Sequence, residues 1–362
     1  MLAWRPLRWI GALSFSLYLW HWPALVFARH LLLGHPGPVQ AGVAVLLAVA
    51  LAWASLRWVE TPVRQSAWPQ RRMLWAGAAA IGACLLLAAG LWGAGHRARE
   101  AATPANTLLA AAGDANPARE RCHVSRQLQL GYADRCQFGP AQAPRQLAVW
   151  GDSHGVEIAA ALAGQPGAGR SLAMLTASGC PPTDGFSPPN LPYCAPHNEA
   201  VLKALAADAR VDRVLLASRT SGYLGDAAKA ADYEQGLRRA AQALVDAGKQ
   251  VWLLDPVPTY GYAVPAALAQ RQRRGQDLAG FGMAQRDYLR REAAALALLE
   301  RVAAATGARR IAVGQALCGT GHCEVIDAAG RPLYFDDNHL SLAGARLLAD
   351  RALRPLVAPS GG

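Results

Sequence analysis

The sequence predicts transmembrane α-helices followed by an α/β three-layer domain with a parallel sheet. Three long apolar stretches lie within the first 95 residues, and each approaches the roughly 20 residues that a membrane helix needs. From residue 146 onward, short apolar strands alternate with helical segments, a pattern typical of a parallel sheet covered on both faces. We therefore expect a membrane region over residues 1–95, a linker and extension over 96–145, and the α/β domain over 146–362.

The three candidate membrane helices are Ile10–Leu33, Val39–Leu56 and Met73–Trp92. Arginines precede the first stretch and occur again between the second and the third. Because positive charge favours the cytoplasmic side, residues 1–9 and 57–72 are expected in the cytoplasm. The turn His35–Pro38 and everything after residue 95 are then expected outside it. We therefore expect a multi-pass protein of the inner (cytoplasmic) membrane whose α/β domain is extracytoplasmic, in the periplasm where the cell has one.

The composition argues against nucleic-acid binding. Hydrophobic residues make up 52% of the chain and charged residues only 17%. The formal net charge is +11, but the arginines are scattered and form no basic stripe. The positive charge is better explained by cytoplasmic loops beside membrane helices and by an arginine-rich domain surface.

Six of the seven cysteines fall into local pairs, and all six follow residue 100. The pairs are Cys122/Cys136, Cys180/Cys194 and Cys318/Cys323, whereas Cys84 lies alone in the third apolar stretch. Local pairs indicate disulfides and an oxidising compartment, in agreement with the predicted topology. None has the Cys-x-x-Cys spacing that favours zinc, so no metal site is expected. Spacing alone leaves the connectivity open.

The α/β domain is predicted from five strands and five helices. The strand candidates are Leu147–Trp150, Ser171–Thr176, Val211–Ala217, Gln250–Leu254 and Arg310–Val313. The helix candidates are Val156–Ala163, Asn198–Asp208, Tyr233–Ala247, Met283–Thr306 and Ala343–Leu353. A segment of this length can form one domain with its own core.

The first predicted strand leads into a candidate nucleophile. The strand ends in the turn Gly151-Asp152, and Ser153 begins the following helix. A serine at this position exposes its hydroxyl at the carboxyl edge of the sheet, and its N–H lies at a helix N-terminus, where negative charge is stabilised. Ser153 is therefore a candidate nucleophile if a base can reach it. The alternative is that Asp152 or Ser153 only caps the helix. We expect the adjacent His154 to have a structural role.

A candidate base and acid occur just before the last helix. The loop contains Asp336 and His339 three positions apart, followed by the natural N-cap Ser341. At this spacing the carboxylate can orient the imidazole, and His339 can accept the proton of Ser153. Asp337 is the alternative acid, because adjacent carboxylates cannot be separated by sequence. The alternative for the whole loop is ordinary turn chemistry.

The first membrane helix carries polar side chains. Its segment reads Ser14-Phe-Ser-Leu-Tyr-Leu-Trp-His-Trp-Pro23, with Tyr18 and His21 on one helical face. Polar groups inside a membrane are costly unless they face protein or a polar cavity, which favours a functional lining. The alternative is an interfacial aromatic belt.

This segment resembles the late-helix signature of the acyltransferase-3 membrane proteins, and Trp58-Val-Glu-Thr-Pro-Val-Arg64 resembles the ending that follows the next helix there. Larger members of that family continue into an extracytoplasmic SGNH domain. The order of Gly-Asp-Ser-His at the first strand and Asp-x-x-His before the last helix is similar to that of SGNH hydrolases. The resemblance implies the catalytic set Ser153, His339 and Asp336. It further implies a Gly179 N–H as oxyanion donor and Arg219 as a substrate or charge-stabilising residue. The alternatives are that Gly179 only begins a flexible loop and that Arg219 is an ordinary surface arginine.

The resemblance also implies an activity: O-acetylation of a surface polysaccharide such as lipopolysaccharide O-antigen. The acceptor would be a surface polysaccharide or lipid-linked glycan. Acetyl-CoA would be the ultimate acyl donor, and no cofactor is expected to bind directly. The resemblance covers only the carboxyl-terminal part of the family architecture. We therefore expect a separate protein or an upstream segment to supply the earlier helices. The alternatives are a membrane-anchored SGNH esterase and a non-catalytic, membrane-anchored binding domain.

Overall fold

The computed structural model describes residues 5–32, 37–126, 128–140, 142–165, 170–319 and 321–358. The chain forms two compact units, residues 1–106 and 107–362. The predicted division at residues 95 and 145 stays a prediction. Of the predicted turn His35–Pro38, His35 and Pro36 lie outside the described residues.

The first unit consists of three long helices, as predicted. They are α1 (Arg5–Leu32), α2 (Pro38–Ser55) and α3 (Gln70–Glu100). Pro38 occupies the first turn of α2, where the missing N–H costs no hydrogen bond. A π-helical turn, Leu56–Glu60, and a short helical segment, Thr61–Gln65, continue α2. By length and composition, three helices among the described residues could cross a membrane.

The second unit contains a six-stranded sheet in the order β1-β3-β2-β4-β5-β6. The strands are β1 (Cys136–Phe138), β2 (Gln146–Gly151), β3 (Ser171–Thr176), β4 (Val211–Ala217), β5 (Gln250–Leu254) and β6 (Arg309–Ile311). All neighbours pair in parallel except β1, which runs antiparallel to β3. Every residue of β2 and β3 is buried, because helices cover both faces of the sheet. The predicted fold class is confirmed.

Helices surround this sheet. They are α4 (Pro104–Ala110), which begins in the first unit, α5 (Arg119–Cys122), α6 (Gly155–Ala163), α7 (Cys194–Ala207), α8 (Ala227–Asp246), α9 (Val264–Arg273), α10 (Gln285–Thr306), α11 (Val313–Leu317), α12 (Leu342–Leu348) and α13 (Arg354–Val357). The sequence did not predict β1 or the helices α4, α5, α9, α11 and α13. It also began α8 six residues late, because the first turns of α8 carry no apolar periodicity. Instead, the Asp226 carboxylate caps this helix by accepting the Lys229 N–H.

The sheet order places a topological switch point, where α/β folds form a crevice, at the end of β2. Gly151, the last residue of β2, pairs with Thr176 of β3 on one side and with Ala217 of β4 on the other. The chain therefore leaves β2 toward one edge of the sheet and later returns on the opposite side. Ligands of open α/β sheets bind at such a switch point, outside the carboxyl ends of the strands.

The three predicted cysteine pairs are disulfides. Cys122–Cys136 joins α5 to β1, Cys180–Cys194 joins the loop after β3 to α7, and Cys318–Cys323 closes a short loop after α11. Cys84 in α3 is unpaired. The first two disulfides fix the chain on the β3 side of the crevice.

Candidate active site

The nucleophile turn follows β2 directly. Gly151 is required there, because a Cβ atom would lie 1.7 Å from the Ala217 carbonyl oxygen of β4. Asp152 is buried, and its carboxylate accepts hydrogen bonds from the N–H groups of His154 and Arg219, each at 2.9 Å, and from the Tyr223 hydroxyl at 2.7 Å. Asp152 thus joins the turn after β2 to the loop after β4. The N-cap of α6 is His154, without a side-chain capping bond, so the Ser153 hydroxyl is left for other contacts.

Ser153 faces the loop before α12. Its Oγ lies 2.8 Å from His339 Nε2, and His339 Nδ1 lies 2.7 Å from Asp336 Oδ2. With the proton on Nδ1, the imidazole donates to Asp336 and accepts from the serine hydroxyl. This is the geometry that a general base requires. The structure brings the three predicted residues together, although they span 186 positions of sequence.

Asp336, rather than Asp337, contacts the histidine. Burial of Asp336 raises its pKa, but hydrogen bonds from the His339 ring and from the N–H groups of Asn338 and His339 outweigh burial and lower the pKa to about 2. The carboxyl therefore stays ionised at neutral pH. Asp337 instead accepts a hydrogen bond from the Asn338 side chain at 2.6 Å. The geometry favours Asp336 as the acid.

Two backbone N–H groups beside the nucleophile are candidate oxyanion donors. Within the part of the chain that the structure describes, the N–H groups of Ser153 and Gly179 have no protein acceptor. Gly179 follows β3 and has a φ of +66°, and a Cβ atom there would lie 2.5 Å from Leu191 Cδ1. Glycine therefore fits this turn best. Both groups lie at the carboxyl edge of neighbouring strands, where a tetrahedral oxyanion at Ser153 would need donors.

Arg219 lies in the loop after β4. Its N–H is fixed by Asp152, whereas its side chain is exposed. Among the described residues, no hydrogen bond or salt bridge occupies the guanidinium. The side chain packs along Gly222, because a Cβ atom at that glycine would lie 3.6 Å from both Cγ and Cδ of Arg219. An unpaired guanidinium at this edge is available to an incoming substrate.

His154 links the nucleophile turn to the base loop. Its Nε2 lies 3.0 Å from the Asn338 side-chain oxygen, so a neutral ring donates this hydrogen bond. Burial lowers the pKa of His154 to about 4, outweighing the opposite effect of Asp152. The side chain is turned toward Asn338, and the structural role expected from sequence stays a prediction.

The shifted pKa of His154 predicts an acid-dependent loss of stability. An unfolded histidine has a pKa near 6.5. Because the folded pKa lies lower, the neutral His154 ring contributes in full to the free energy of unfolding above pH 6.5. This contribution is lost as the pH falls through about 4. We expect the thermal midpoint of His154→Gln, which keeps a donor for Asn338, to fall less steeply than that of the wild type between pH 6.5 and 4. Parallel curves would contradict this.

The acid loop is held from behind by the loop after β5. The Tyr260 N–H donates to the Asp337 carbonyl at 2.7 Å, and the Val264 N–H donates to the Asp336 carbonyl at 3.0 Å.

Asp255, at the end of β5, forms a bidentate pair with Arg310. Asp255 therefore has a structural contact, which sequence reasoning had not assigned.

Sequence reasoning missed several residues around the site. Tyr223 donates to the Asp152 carboxylate, Arg119 donates to the Ser153 carbonyl, and Phe335 stacks on His339. Asn338 contacts His154, which packs on His339. Asn338 lies inside the Asp-x-x-His loop and could have been examined for that reason. Phe335 lies in the same loop, four residues before His339, whereas Tyr223 and Arg119 have no local signal because their partners are distant in sequence.

The two membrane-helix motifs contact each other within the first unit. Ser16 of α1 is buried and hydrogen-bonds to Glu60, which also pairs with Arg64 at 3.1 Å. Tyr18 and His21 lie on one face, with ring centroids 5.8 Å apart, and both line a groove of about 510 Å³ between α1 and α2. His21 Nδ1 bonds to the Tyr18 carbonyl at 2.7 Å. The functional lining predicted for these two residues stays a prediction.

Comparisons with known proteins agree with this architecture. A family model described as an SGNH domain (fused to AT3 domains) matches residues 121–354. Over 65 residues, the chain is 35% identical to the peptidoglycan O-acetyltransferase OatA of Listeria monocytogenes. Over the same length, it is 40% identical to the O-acetyltransferase OatA of Staphylococcus aureus. These matches cover 18% of this chain and 10% or 11% of the relatives, so the chain spans about a tenth of their length.

Among solved structures, the second unit is similar to the periplasmic domain of a lipopolysaccharide acetyltransferase from Salmonella ser. Paratyphi A. The match has a TM-score of 0.52 and 15% identity, and it covers 66% of this chain and 91% of that one. At this identity the likeness shows a shared fold.

Proposed function

Since the chain belongs to the family of SGNH domains fused to AT3 domains, we propose that it is a serine-dependent O-acyltransferase that acetylates a cell-surface polysaccharide. The observation that supports this proposal most directly is the hydrogen-bonded triad of Ser153, His339 and Asp336 at the switch point of the sheet. Its relatives include peptidoglycan O-acetyltransferases, and its structural neighbour is a lipopolysaccharide acetyltransferase domain. We propose a surface glycan such as O-antigen as the acceptor.

Two acyl transfers account for the reaction. In the first, Ser153 Oγ attacks the donor carbonyl while its proton moves to His339 Nε2. The oxyanion accepts hydrogen bonds from the N–H groups of Ser153 and Gly179. The intermediate collapses as His339 returns the proton to the leaving group, which leaves an acetyl-serine. In the second, His339 takes the proton of a sugar hydroxyl, the sugar oxygen attacks the ester, and Ser153 is released with its proton restored.

Arg219 is proposed to hold the substrate in this site. SGNH hydrolases carry an asparagine after the strand that corresponds to β4, and this chain has Arg219 there instead. Its guanidinium can donate to an acetyl oxygen or to the glycan, because no protein group occupies it among the described residues. Acetyl-CoA is proposed as the ultimate donor, with its acetyl group carried across the membrane by AT3 helices in a separate protein or upstream segment.

The proposed location is the inner membrane, with the SGNH domain in the periplasm. The flanking arginines support this orientation through the positive-inside rule. The three disulfides support an oxidising compartment for the second unit. Tyr18 and His21 would then lie within the membrane, in the groove between α1 and α2.

Transfer is distinguished from hydrolysis by the fate of the acetyl group. We expect the full chain, in detergent or nanodiscs with an activated acetyl ester, to produce acetylated oligosaccharide when a glycan acceptor is present. Mass spectrometry of the oligosaccharide measures this product. Acetate release that no acceptor alters would instead identify an esterase, and absence of any Ser153-dependent turnover would favour a binding domain.

A further inference from the structure

A segment that precedes the sheet contacts both halves of the candidate site. The Asp114 carbonyl accepts the Leu342 N–H at 2.9 Å, and its carboxylate accepts the Ala343 N–H at 3.1 Å. Asp114 thus adds two acceptors to the first turn of α12, the helix that follows the base loop and has Ser341 as its N-cap. Asn116 donates to the Val156 carbonyl at 3.2 Å and to the Glu157 carboxylate at 3.3 Å, on the helix that follows the nucleophile. The segment 114–119 therefore joins α12 to α6.

Arg119 ends this segment beside the nucleophile. Its guanidinium forms a bidentate pair with Glu157, at 3.1 and 3.0 Å, and the Glu157 side chain is only 2% exposed. The same guanidinium donates to the Ser153 carbonyl at 3.3 Å. Its planar fork permits these contacts at once, which a lysine could not reproduce.

The same guanidinium also contacts the aromatic ring that stacks on the base. Arg119 lies over the Phe335 ring, 5.4 Å from the centroid, and that ring is parallel to the His339 imidazole at 5.3 Å with an interplanar angle of 3°. His154 packs on the imidazole as well, with centroids 4.7 Å apart. One guanidinium thus contacts the main chain of the nucleophile and the ring that stacks on the base.

We propose that Arg119 and Phe335 are positioning residues that keep Ser153 Oγ and His339 Nε2 at hydrogen-bond distance for proton transfer. The inference rests on the proposed serine chemistry. The proton passes only between Ser153 Oγ and His339 Nε2, and neither Arg119 nor Phe335 takes it. Because a misplacement of about 1 Å can cost roughly 100-fold in rate, loss of either contact lowers the rate of acylation.

The chain offers a matched control for Arg119. Arg135 also stacks on an aromatic ring, that of Tyr132 at 3.8 Å, and also pairs with a largely buried carboxylate, that of Asp208 at 3.2 Å. Its hydrogen bonds go to Tyr132, Gln146 and Asp208, and among the described residues it has none with Ser153, His339 or Asp336. We expect Arg119→Met and Arg135→Met to lower the thermal midpoint alike. Only Arg119→Met is expected to lower kcat at least tenfold, with KM changed less than twofold.

Phe335 provides a second test that leaves no buried charge unpaired. Phe335→Leu is expected to slow fluorophosphonate labelling of Ser153 about tenfold at a temperature where the chain is folded, and Phe335→Tyr, which restores the ring, is expected to recover the wild-type rate within twofold. Equal labelling rates for wild type, Phe335→Leu and Arg119→Met would overturn the proposal. Failure of the wild type to be labelled would overturn the serine chemistry itself. If Arg119→Met does not fold, the Phe335 pair decides.

Discussion

Replacement of Ser153 by alanine is expected to abolish covalent labelling by a fluorophosphonate and to lower acetyl transfer at least about 1,000-fold. The acyl group would have no oxygen to form an ester with, and His339 would have no hydroxyl to deprotonate. Removal of a serine nucleophile leaves only the rate that binding and the oxyanion donors supply. The measurement is labelling of the full chain followed by peptide mapping, together with the yield of acetylated glycan.

Ser178 is the matched control for this variant. It lies in the neighbouring loop after β3, at the same edge of the sheet, and is exposed. Ser178→Ala should therefore be labelled at the wild-type rate. Labelling that persists in Ser153→Ala but is lost in Ser178→Ala would identify Ser178, not Ser153, as the nucleophile.

Much of the second unit was predictable because its strands are local and apolar. Ser171–Thr176, Val211–Ala217 and Gln250–Leu254 were predicted with the bounds that the structure has. Each contains an apolar run that helices bury on both faces, and this run separates the strand from the flanking turns. The antiparallel strand Cys136–Phe138 was not predicted, because three residues with an exposed glutamine carry no such pattern.

The candidate site divides in the same way. Asp336 and His339 were predictable because they are three positions apart and the carboxylate reaches the ring within one loop. The contacts of Arg119 with Ser153 and of Tyr223 with Asp152 join residues 34 and 71 positions apart. These pairs exist only after the sheet has brought the loops together. No local spacing indicates them.

Replacement of Asp336 by asparagine is expected to lower kcat by about 100- to 10,000-fold with little change in KM. An amide is similar in size to the carboxylate, but it cannot hold His339 with the proton on Nδ1 or stabilise the imidazolium that forms during acylation. The pKa of Asp336 is about 2, so the carboxylate is ionised throughout the working range of pH. The defect of Asp336→Asn should therefore be as large at pH 8 as at pH 6, as measured by ester turnover of the full chain.

Asp337→Asn is the control that separates the two adjacent carboxylates. Asp337 makes no hydrogen bond with His339 and instead accepts one from Asn338, which an asparagine side-chain oxygen can still accept. We therefore expect Asp337→Asn to retain kcat within about threefold. If Asp337→Asn carries the large defect and Asp336→Asn does not, Asp337 is the acid, and the loop must rearrange before acylation. A large defect in both would mean that the loop requires both negative charges, because the hydrogen bond from His339 Nδ1 would then be insufficient to orient the base.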